Sequence, residues 1–190
     1  MTEKEKMLST LPYVGWDEEL EEEKAKVREL VYDFNNSRPS EREKRNELIT
    51  KIFGSRKDNA YMEPPFHCDY GYNITIGENF YTNHNCIILD GAKVTFGDNV
   101  FIGSKSTILY DVRIGSNVII GSGSLVNKDI PDNCVAAGVP AKVIGSIEDF
   151  MKKRSQEGAF PDGMKPVLGR CVPDDLAQYC WEQFEVNRSK

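Results

Sequence analysis

Apolar residues recur at every sixth position through the middle of the chain. The series runs through Phe96, Ile102, Ile108, Ile114, Ile120 and Val126. Side chains on a strand alternate with a period of two, so one buried position in every six predicts a short strand and a corner in each unit. Three units close one triangular coil, and stacked coils bury the repeated side chains. The pattern predicts a mainly β fold, a parallel β-helix, over about residues 72–144.

A longer repeat marks one corner of each coil. Three similar phrases follow one another at the length of one coil: Ile76-Gly77-Glu78-Asn79, Phe96-Gly97-Asp98-Asn99 and Ile114-Gly115-Ser116-Asn117. Tight corners often require a positive φ, which Gly adopts freely and Asn tolerates. We therefore expect positive φ at both the Gly and the Asn of each phrase.

A helical hairpin is predicted before the repeat. An apolar stripe with helical spacing consists of Val27, Leu30, Val31 and Phe34, which predicts a helix over about residues 17–34. A break follows at residues 35–39. Ser40 lies three residues before Glu43, the spacing of a capping box, and Gly54 ends the second predicted helix.

A third helix is predicted near the end of the chain. Its apolar stripe consists of Leu176, Tyr179, Cys180 and Phe184, and it follows Pro173-Asp174-Asp175, which suits a helix N-terminus. The chain therefore divides into a helical segment at residues 1–58, a β-helix at residues 59–145 and a helical extension at residues 146–190.

The bulk properties narrow the functional classes. The chain has 190 residues and a net charge of -6, which argues against nucleic acid as the main partner. No apolar stretch reaches about 18 residues and the first residues lack the apolar core of a signal peptide, so we expect a cytoplasmic protein without a membrane partner. The five cysteines are odd in number and scattered, which favours reduced thiols over disulfides or a metal site.

The hexads resemble those of the hexapeptide-repeat acyltransferases. The resemblance implies a left-handed parallel β-helix, an exception to the general rule of right-handed crossovers, and assembly as a homotrimer. Residues 1–103 are similar to the maltose and galactoside O-acetyltransferases, because the helical hairpin, Glu63-Pro64-Pro65 and Tyr81-Thr82-Asn83 occur in the family's order. This likeness implies acetyl-CoA (coenzyme A) as co-substrate and a sugar hydroxyl as acceptor.

Residues 104–190 are similar to a different group, the O-acetyltransferases that modify capsule or lipopolysaccharide sugars. The likeness rests on a closing coil at residues 128–144 and on the long helical tail. A join near Gly103, between two Ile-Gly hexads, would preserve the sixfold phase. We therefore expect either a designed or recombined chimera or a natural internal deletion.

The base that acetyl transfer requires is missing from its expected place. A sugar hydroxyl must lose its proton as it attacks the thioester, and histidine is the usual base. In the maltose and galactoside enzymes this histidine lies on a loop shortly after the segment that matches residues 98–103. Here Gly103 leads directly into Ser104 and the sixfold phase does not slip. The resemblance therefore implies an acetyltransferase with impaired activity.

Only two histidines occur in the chain. We expect His67 to be a capping or surface residue. His84 is the candidate catalytic base, although neighbouring residues on a strand point to opposite faces, so His84 is expected to face away from an acceptor bound at Asn83. The alternative for His84 is a histidine at a corner or an interface.

The resemblance assigns the other site residues. It places acceptor contacts at Tyr81, Asn83, Asp69 and Asp90. It places coenzyme contacts along one edge of the coil, at Ser104, Ser122, Asn127, Lys128 and Lys142. Lys142 stands where the family commonly has Arg, so the bidentate contact of Arg with a phosphate is lost and weaker binding is expected.

Two functions compete with acetyl transfer. The β-helical carbonic anhydrases bind zinc through three histidines, which this chain cannot supply. The remaining alternative to an O-acetyltransferase is a trimeric scaffold or coenzyme-binding protein without turnover.

Overall fold

The structure is a computed structural model that describes residues 1–157 of the chain. Residues Met1–Phe150 form one compact unit, and Met151–Lys190 belong to a second unit, of which residues 151–157 are described. The predicted tail helix with Leu176 and Phe184 lies outside the described residues. No helix of the described part is long and apolar enough to cross a membrane.

Four helices and fourteen strands make up the described chain. The helices are α1 (Glu3–Leu8), α2 (Glu18–Asn35), α3 (Arg42–Ile52) and α4 (Ile147–Glu157). The strands are β1 (Ser55–Arg56), β2 (Tyr61–Met62), β3 (Phe66–Cys68), β4 (Ile74–Ile76), β5 (Tyr81–Thr82), β6 (Cys86–Ile88), β7 (Val94–Phe96), β8 (Val100–Ile102), β9 (Thr107–Ile108), β10 (Val112–Ile114), β11 (Val118–Ile120), β12 (Leu125–Val126), β13 (Cys134–Gly138) and β14 (Ala141–Ser146).

Successive strands visit three sheets in rotation, as a triangular coil requires. Sheet A contains β1, β4, β7 and β10, sheet B contains β2, β5, β8, β11, β13 and β14, and sheet C contains β3, β6, β9 and β12. All strand pairs are parallel except β13 with β14, which are antiparallel. The predicted parallel β-helix is confirmed, and its first strand lies at Ser55–Arg56, ahead of the predicted start at residue 59.

The six residues of the period-six series all point into the core. Each is at most 2% exposed. Equivalent residues of successive coils are in register, as in the pairs Ile114 with Phe96 and Ile120 with Ile102. Because burying an Ile or Val side chain stabilises a protein by about 1.5–3 kcal/mol, these columns are the main source of stability in the coil.

Asparagines form a hydrogen-bonded ladder at the corner between sheets A and B. Asn79, Asn99, Asn117 and Asn133 have φ between 54° and 60°, which confirms the positive φ predicted for the first three. The side-chain amides of the first three each donate to the side-chain oxygen of the asparagine one coil further on, over 2.9, 2.9 and 2.8 Å, and the amide of Asn59 donates to Asn79 over 3.1 Å. The Asn side chain therefore both tolerates the corner and joins neighbouring coils.

The glycines of the same phrases have a different role from the one predicted. Gly77, Gly97 and Gly115 are not among the residues with positive φ. A Cβ on Gly77 would lie 2.3 Å from the carbonyl oxygen of Gly97, and one on Gly97 would lie 2.6 Å from the backbone nitrogen of Ser116. Glycine is required here because the next coil approaches too closely for any side chain, and the expectation of positive φ was wrong for these residues.

The predicted helical hairpin is confirmed in α2 and α3. Asn35, at the end of α2, attaches the hairpin to the edge of sheet C, because its side chain donates to the carbonyl of Phe66 over 2.9 Å and accepts from the Phe66 N–H over 2.8 Å. The capping box predicted at Ser40 is wrong. Helix α3 begins one residue later than that box requires, and the side chain of Glu41 instead accepts from the backbone N–H of Arg38 over 2.7 Å.

We predict that Gly97→Ala destabilises the fold, because the new methyl group would overlap the backbone of the next coil. The expected loss in the free energy of unfolding is about 1–3 kcal/mol, as for other overpacked sites. Gly145→Ala is the matched control, since a Cβ there has no heavy atom within 4 Å. Urea unfolding of both variants checks this, and equal unfolding midpoints would contradict the close-approach explanation.

Candidate functional site

The three sheets present chemically different outer faces. The outward residues of sheet A are Thr75, Thr95 and Arg113. Those of sheet B are Tyr61, Tyr81, Phe101 and Ile119. Those of sheet C are His67, Ile87, Thr107 and Leu125. Sheet A is therefore polar outside, whereas sheets B and C each carry apolar side chains on their outer faces.

Tyr81 is the middle ring of an aromatic column on sheet B. Its ring centroid lies 5.8 Å from that of Tyr61 and 5.1 Å from that of Phe101, and the three rings are nearly parallel. Because each face of the Tyr81 ring meets another ring, only ring edges point outward. Tyr61 and Phe101 are 47% and 39% exposed, so the column leaves a large apolar surface open.

The corner between sheets B and C collects several of the predicted residues. The strands that enter this corner, β2, β5, β8 and β11, are in register. The second residue after each strand is therefore equivalent, which stacks four residues in one column: Pro64, His84, Ser104 and Ser122. Parallel coils are about 4.8 Å apart, so neighbours in this column are in contact range. We call this set the B–C column.

His84 is held by its neighbours in the B–C column. Its Nδ1 lies 2.6 Å from the carbonyl oxygen of Pro64, and its own carbonyl accepts from the N–H of Lys105 over 2.9 Å. Its backbone N–H donates to Oδ1 of Asn83 over 2.7 Å. The imidazole is exposed, so it is oriented from one side and open on the other.

Asn83 and His84 do not alternate between opposite faces as neighbours on a strand would. Strand β5 ends at Thr82, so Asn83 and His84 both lie in the corner, where side chains do not alternate between two faces. Asn85 follows with a φ of 61°, which turns the chain into sheet C. The side chains of Asn83 and His84 therefore lie at the same corner.

The predicted acceptor residues Asp69 and Asp90 lie at a different corner, between sheets C and A. Asp90 is fully buried, and its Oδ1 accepts from the N–H groups of Asp69 and Tyr70 over 3.0 and 2.9 Å. Its Oδ2 has no hydrogen-bond partner among the described residues. Burial raises the pKa of both the Asp90 and the Asp69 carboxyl groups. Asp90 thus fixes the backbone of this corner and has no exposed surface.

The predicted coenzyme residues do not lie along one edge of a single chain. Ser104 and Ser122 belong to the B–C column, whereas Asn127 and Lys128 follow β12 at the corner between sheets C and A. Lys142 lies on β14, the edge strand of sheet B, and is exposed. The single-edge expectation was wrong, because the period-six series identifies inward positions but does not show which corner follows each strand.

Sequence reasoning also missed the part played by Pro64. The signal was available in the coil length, since Pro64 lies 20 residues before His84. Residues separated by one coil stack in this fold, so the carbonyl of Pro64 is the group that meets the His84 ring.

The fold and its hexads define a hexapeptide-repeat transferase. The family model described as "Bacterial transferase hexapeptide (six repeats)" matches residues 93–128, and the fold is the left-handed parallel β-helix of that class. A second model, "Maltose acetyltransferase hexapeptide capping motif", matches residues 6–57, which include the helical hairpin.

Individual relatives narrow the family. The galactoside O-acetyltransferase of Escherichia coli (strain K12) is 41% identical over 168 aligned positions, which cover 70% of this chain and 83% of that enzyme. A galactoside acetyltransferase solved in complex with coenzyme A is 37% identical, with a TM-score of 0.68 and coverage of 85% of this chain and 97% of that one. A maltose O-acetyltransferase from Clostridium difficile 630 is 38% identical, with a TM-score of 0.63 and coverage of 77% and 97%. The chain belongs to the maltose and galactoside O-acetyltransferase family.

We predict that Asp90→Asn is tolerated and removes a pH dependence of stability. The amide oxygen can still accept from Asp69 and Tyr70, and no charge is buried. Because burial raises the pKa of Asp90 above its ordinary 3.8, the folded state binds this proton more tightly than the unfolded state. Wild-type stability therefore decreases as the pH rises from that value through the raised pKa, and Asp90→Asn lacks this decrease.

The measurement is the free energy of unfolding of both proteins between about pH 4 and 7. The stability of Asp90→Asn relative to wild type should increase with pH. Asp90→Ala is the control that leaves two backbone N–H groups without a partner and should cost about 2–4 kcal/mol throughout. Parallel pH curves for wild type and Asp90→Asn would show that the carboxyl is not buried as described.

Proposed function

We propose that the protein is an acetyl-CoA-dependent O-acetyltransferase that acts on a sugar hydroxyl. The observation that carries this proposal is the match to a galactoside acetyltransferase in complex with coenzyme A over 97% of that protein's length. The rigid corners of the coil supply backbone N–H groups of the kind that stabilise the oxyanion formed when a hydroxyl attacks a thioester. The cytoplasmic location and the kinship of residues 104–190 with capsule or lipopolysaccharide enzymes stay predictions.

The contacts of residues 103–107 support the absence of the family's histidine loop. The N–H of Gly103 donates to the carbonyl of Ile120 over 2.8 Å, and the N–H of Thr107 donates to the carbonyl of Ser124 over 2.8 Å. Each is an ordinary contact between successive coils, so the chain passes from β8 to β9 without a detour.

The alignment supports a missing segment. It has 168 positions but covers only 70% of the 190 residues of this chain, which is about 133 residues. The Escherichia coli enzyme therefore has residues inside the aligned region that have no counterpart here. Because a positioned general base contributes about 100-fold to 10,000-fold, we expect acetyl transfer to be slower by that factor than in a relative with the loop unless another residue replaces the loop histidine.

A homotrimer would unite the two groups of candidate residues. One group is the B–C column, which lies where the strands of sheet C begin. The other lies where those strands end, at the corner between sheets C and A, and includes Asp69 and Lys128. In a trimer, such corners of neighbouring subunits can line one cleft. The exposed aromatic column of sheet B offers the apolar surface that subunit packing requires.

The second candidate function is coenzyme binding without turnover. The unbroken passage from β8 to β9 favours it, because this passage preserves the coil and its binding corners without the loop base. The two functions differ in one measurable quantity, since both predict coenzyme binding but only the first predicts acetyl transfer.

The test combines a coenzyme A titration with an acetyl-transfer assay on a panel of sugars. Lys142→Glu should weaken coenzyme binding by about 1–3 kcal/mol if its ammonium group contacts a phosphate. Lys51→Glu is the matched control, because Lys51 is also exposed but lies in helix α3, outside both corners. Equal affinities in both variants would place the phosphates elsewhere, and binding without transfer would favour the second function.

We predict that Phe101→Glu disrupts the trimer, because it places a charge in the aromatic column that would face another subunit. Thr95→Glu is the matched control at the middle of the neighbouring strand on polar sheet A. Sedimentation should give a trimer for wild type and Thr95→Glu and a smaller species for Phe101→Glu. A monomeric wild-type protein at micromolar concentration would contradict the trimer itself.

A further inference from the structure

We propose that Nε2 of His84 is the general base that supports acetyl transfer in this chain. The inference rests on the proposed function and names a group for the proton transfer that the absent loop leaves unassigned. Three observations carry it: the contact of Nδ1, the open side of the ring, and the position of His84 in the B–C column.

The contact of Nδ1 determines which nitrogen is basic. A carbonyl oxygen can only accept a hydrogen bond, so Nδ1 must donate a proton to Pro64 across the 2.6 Å contact. In the neutral imidazole, the proton on Nδ1 leaves the lone pair on Nε2. A backbone carbonyl that accepts from one ring nitrogen fixes both the tautomer and the orientation of the ring, as it does for histidines in metal sites.

The other side of the ring is free. Within residues 1–157, Nε2 makes no hydrogen bond, and the side chain is exposed. The backbone is held on both sides, by Oδ1 of Asn83 and by the N–H of Lys105. His84 therefore presents an unoccupied lone pair from a fixed backbone.

The position of His84 places this lone pair near residues that are predicted to contact the two substrates. Asn83, the neighbouring residue, is the predicted acceptor contact, and Ser104, one coil further along the B–C column, is a predicted coenzyme contact. The Asp90 carboxylate, a predicted acceptor contact, is fully buried at another corner. His67 lies on the outer face of sheet C, outside the B–C column.

The proposed reaction needs only the two substrates and His84. Nε2 accepts the proton of the sugar hydroxyl as its oxygen forms a bond to the acetyl carbonyl carbon. The bond from that carbon to sulfur then breaks, and the imidazolium returns the proton to the departing thiolate of coenzyme A. The products are the acetylated sugar and the free thiol, and His84 is regenerated.

The first measurement is the acetyl-transfer rate of His84→Asn at saturating acetyl-CoA. The Asn side chain carries an N–H donor at the same number of bonds from the backbone as Nδ1, so it can keep the Pro64 contact while lacking Nε2. We expect kcat to fall about 100-fold with the coenzyme A dissociation constant unchanged. His67→Asn should leave the rate unchanged. Added imidazole should restore part of the rate to His84→Ala, which a merely structural role would not allow.

The second measurement is independent of activity. With only two histidines in the chain, ¹⁵N spectra of the imidazoles in His67→Asn report on His84 alone. At a pH where the ring is neutral, we expect the proton on Nδ1 and none on Nε2. The opposite tautomer would overturn the proposal, because Nε2 would then have no lone pair to offer.

The outcomes separate this proposal from the proposed function. An unchanged rate in His84→Asn overturns the role of His84 and leaves the acetyltransferase function standing. A wild-type protein that binds coenzyme A but transfers no acetyl group overturns the role of His84 and favours the function without turnover. Failure to bind coenzyme A contradicts the proposed function itself.

Discussion

Close stacking of the backbone between successive coils is the constraint on which the rest of the structure depends. Hydrogen-bonded parallel strands lie about 4.8 Å apart, and the corners of successive coils must lie at the same separation. At the corner between sheets A and B, the chain meets this demand with Gly77 and Gly97, which have no Cβ to collide with the next coil. Asn79 and Asn99 meet it by bridging the coils through their amide groups. The same repeat therefore supplies both the glycines that allow the close approach and the asparagines that hydrogen-bond one coil to the next.

Stacking also determines how a site can be built on this fold. Residues one coil apart in sequence become neighbours in space, so a functional group is surrounded by the residues about 20 positions before and after it. His84 illustrates this rule, since its ring contacts the carbonyl of Pro64 and its carbonyl contacts Lys105. A site on a β-helix is thus a column along one corner, and what completes it must come from the next corner, the terminal coil or another subunit.

The sequence predicted the inward positions well and the outward ones poorly. The sixfold recurrence from Phe96 to Val126 reports burial directly, and burial decides where strands occur. Corner residues carry no such signal. The alternation rule for Asn83 and His84 failed because β5 is two residues long, and the single-edge prediction failed because Ser122 and Lys128 follow strands of different sheets. The role of Asn35 depends on a contact 31 residues away, which no local pattern reveals.

The passage from β8 to β9 is part of the regular coil. Its hydrogen bonds, such as Gly103 to Ile120, are those of any other pair of coils, so the fold does not depend on a loop at this point. A chain that lacks the loop keeps its buried columns and its corners intact. Selection or design can then act on the corner residues alone, because an exposed residue of the B–C column can change without disturbing the inward columns. On the proposal made for His84, an exposed histidine whose Nδ1 contacts a backbone carbonyl would supply the base without a loop.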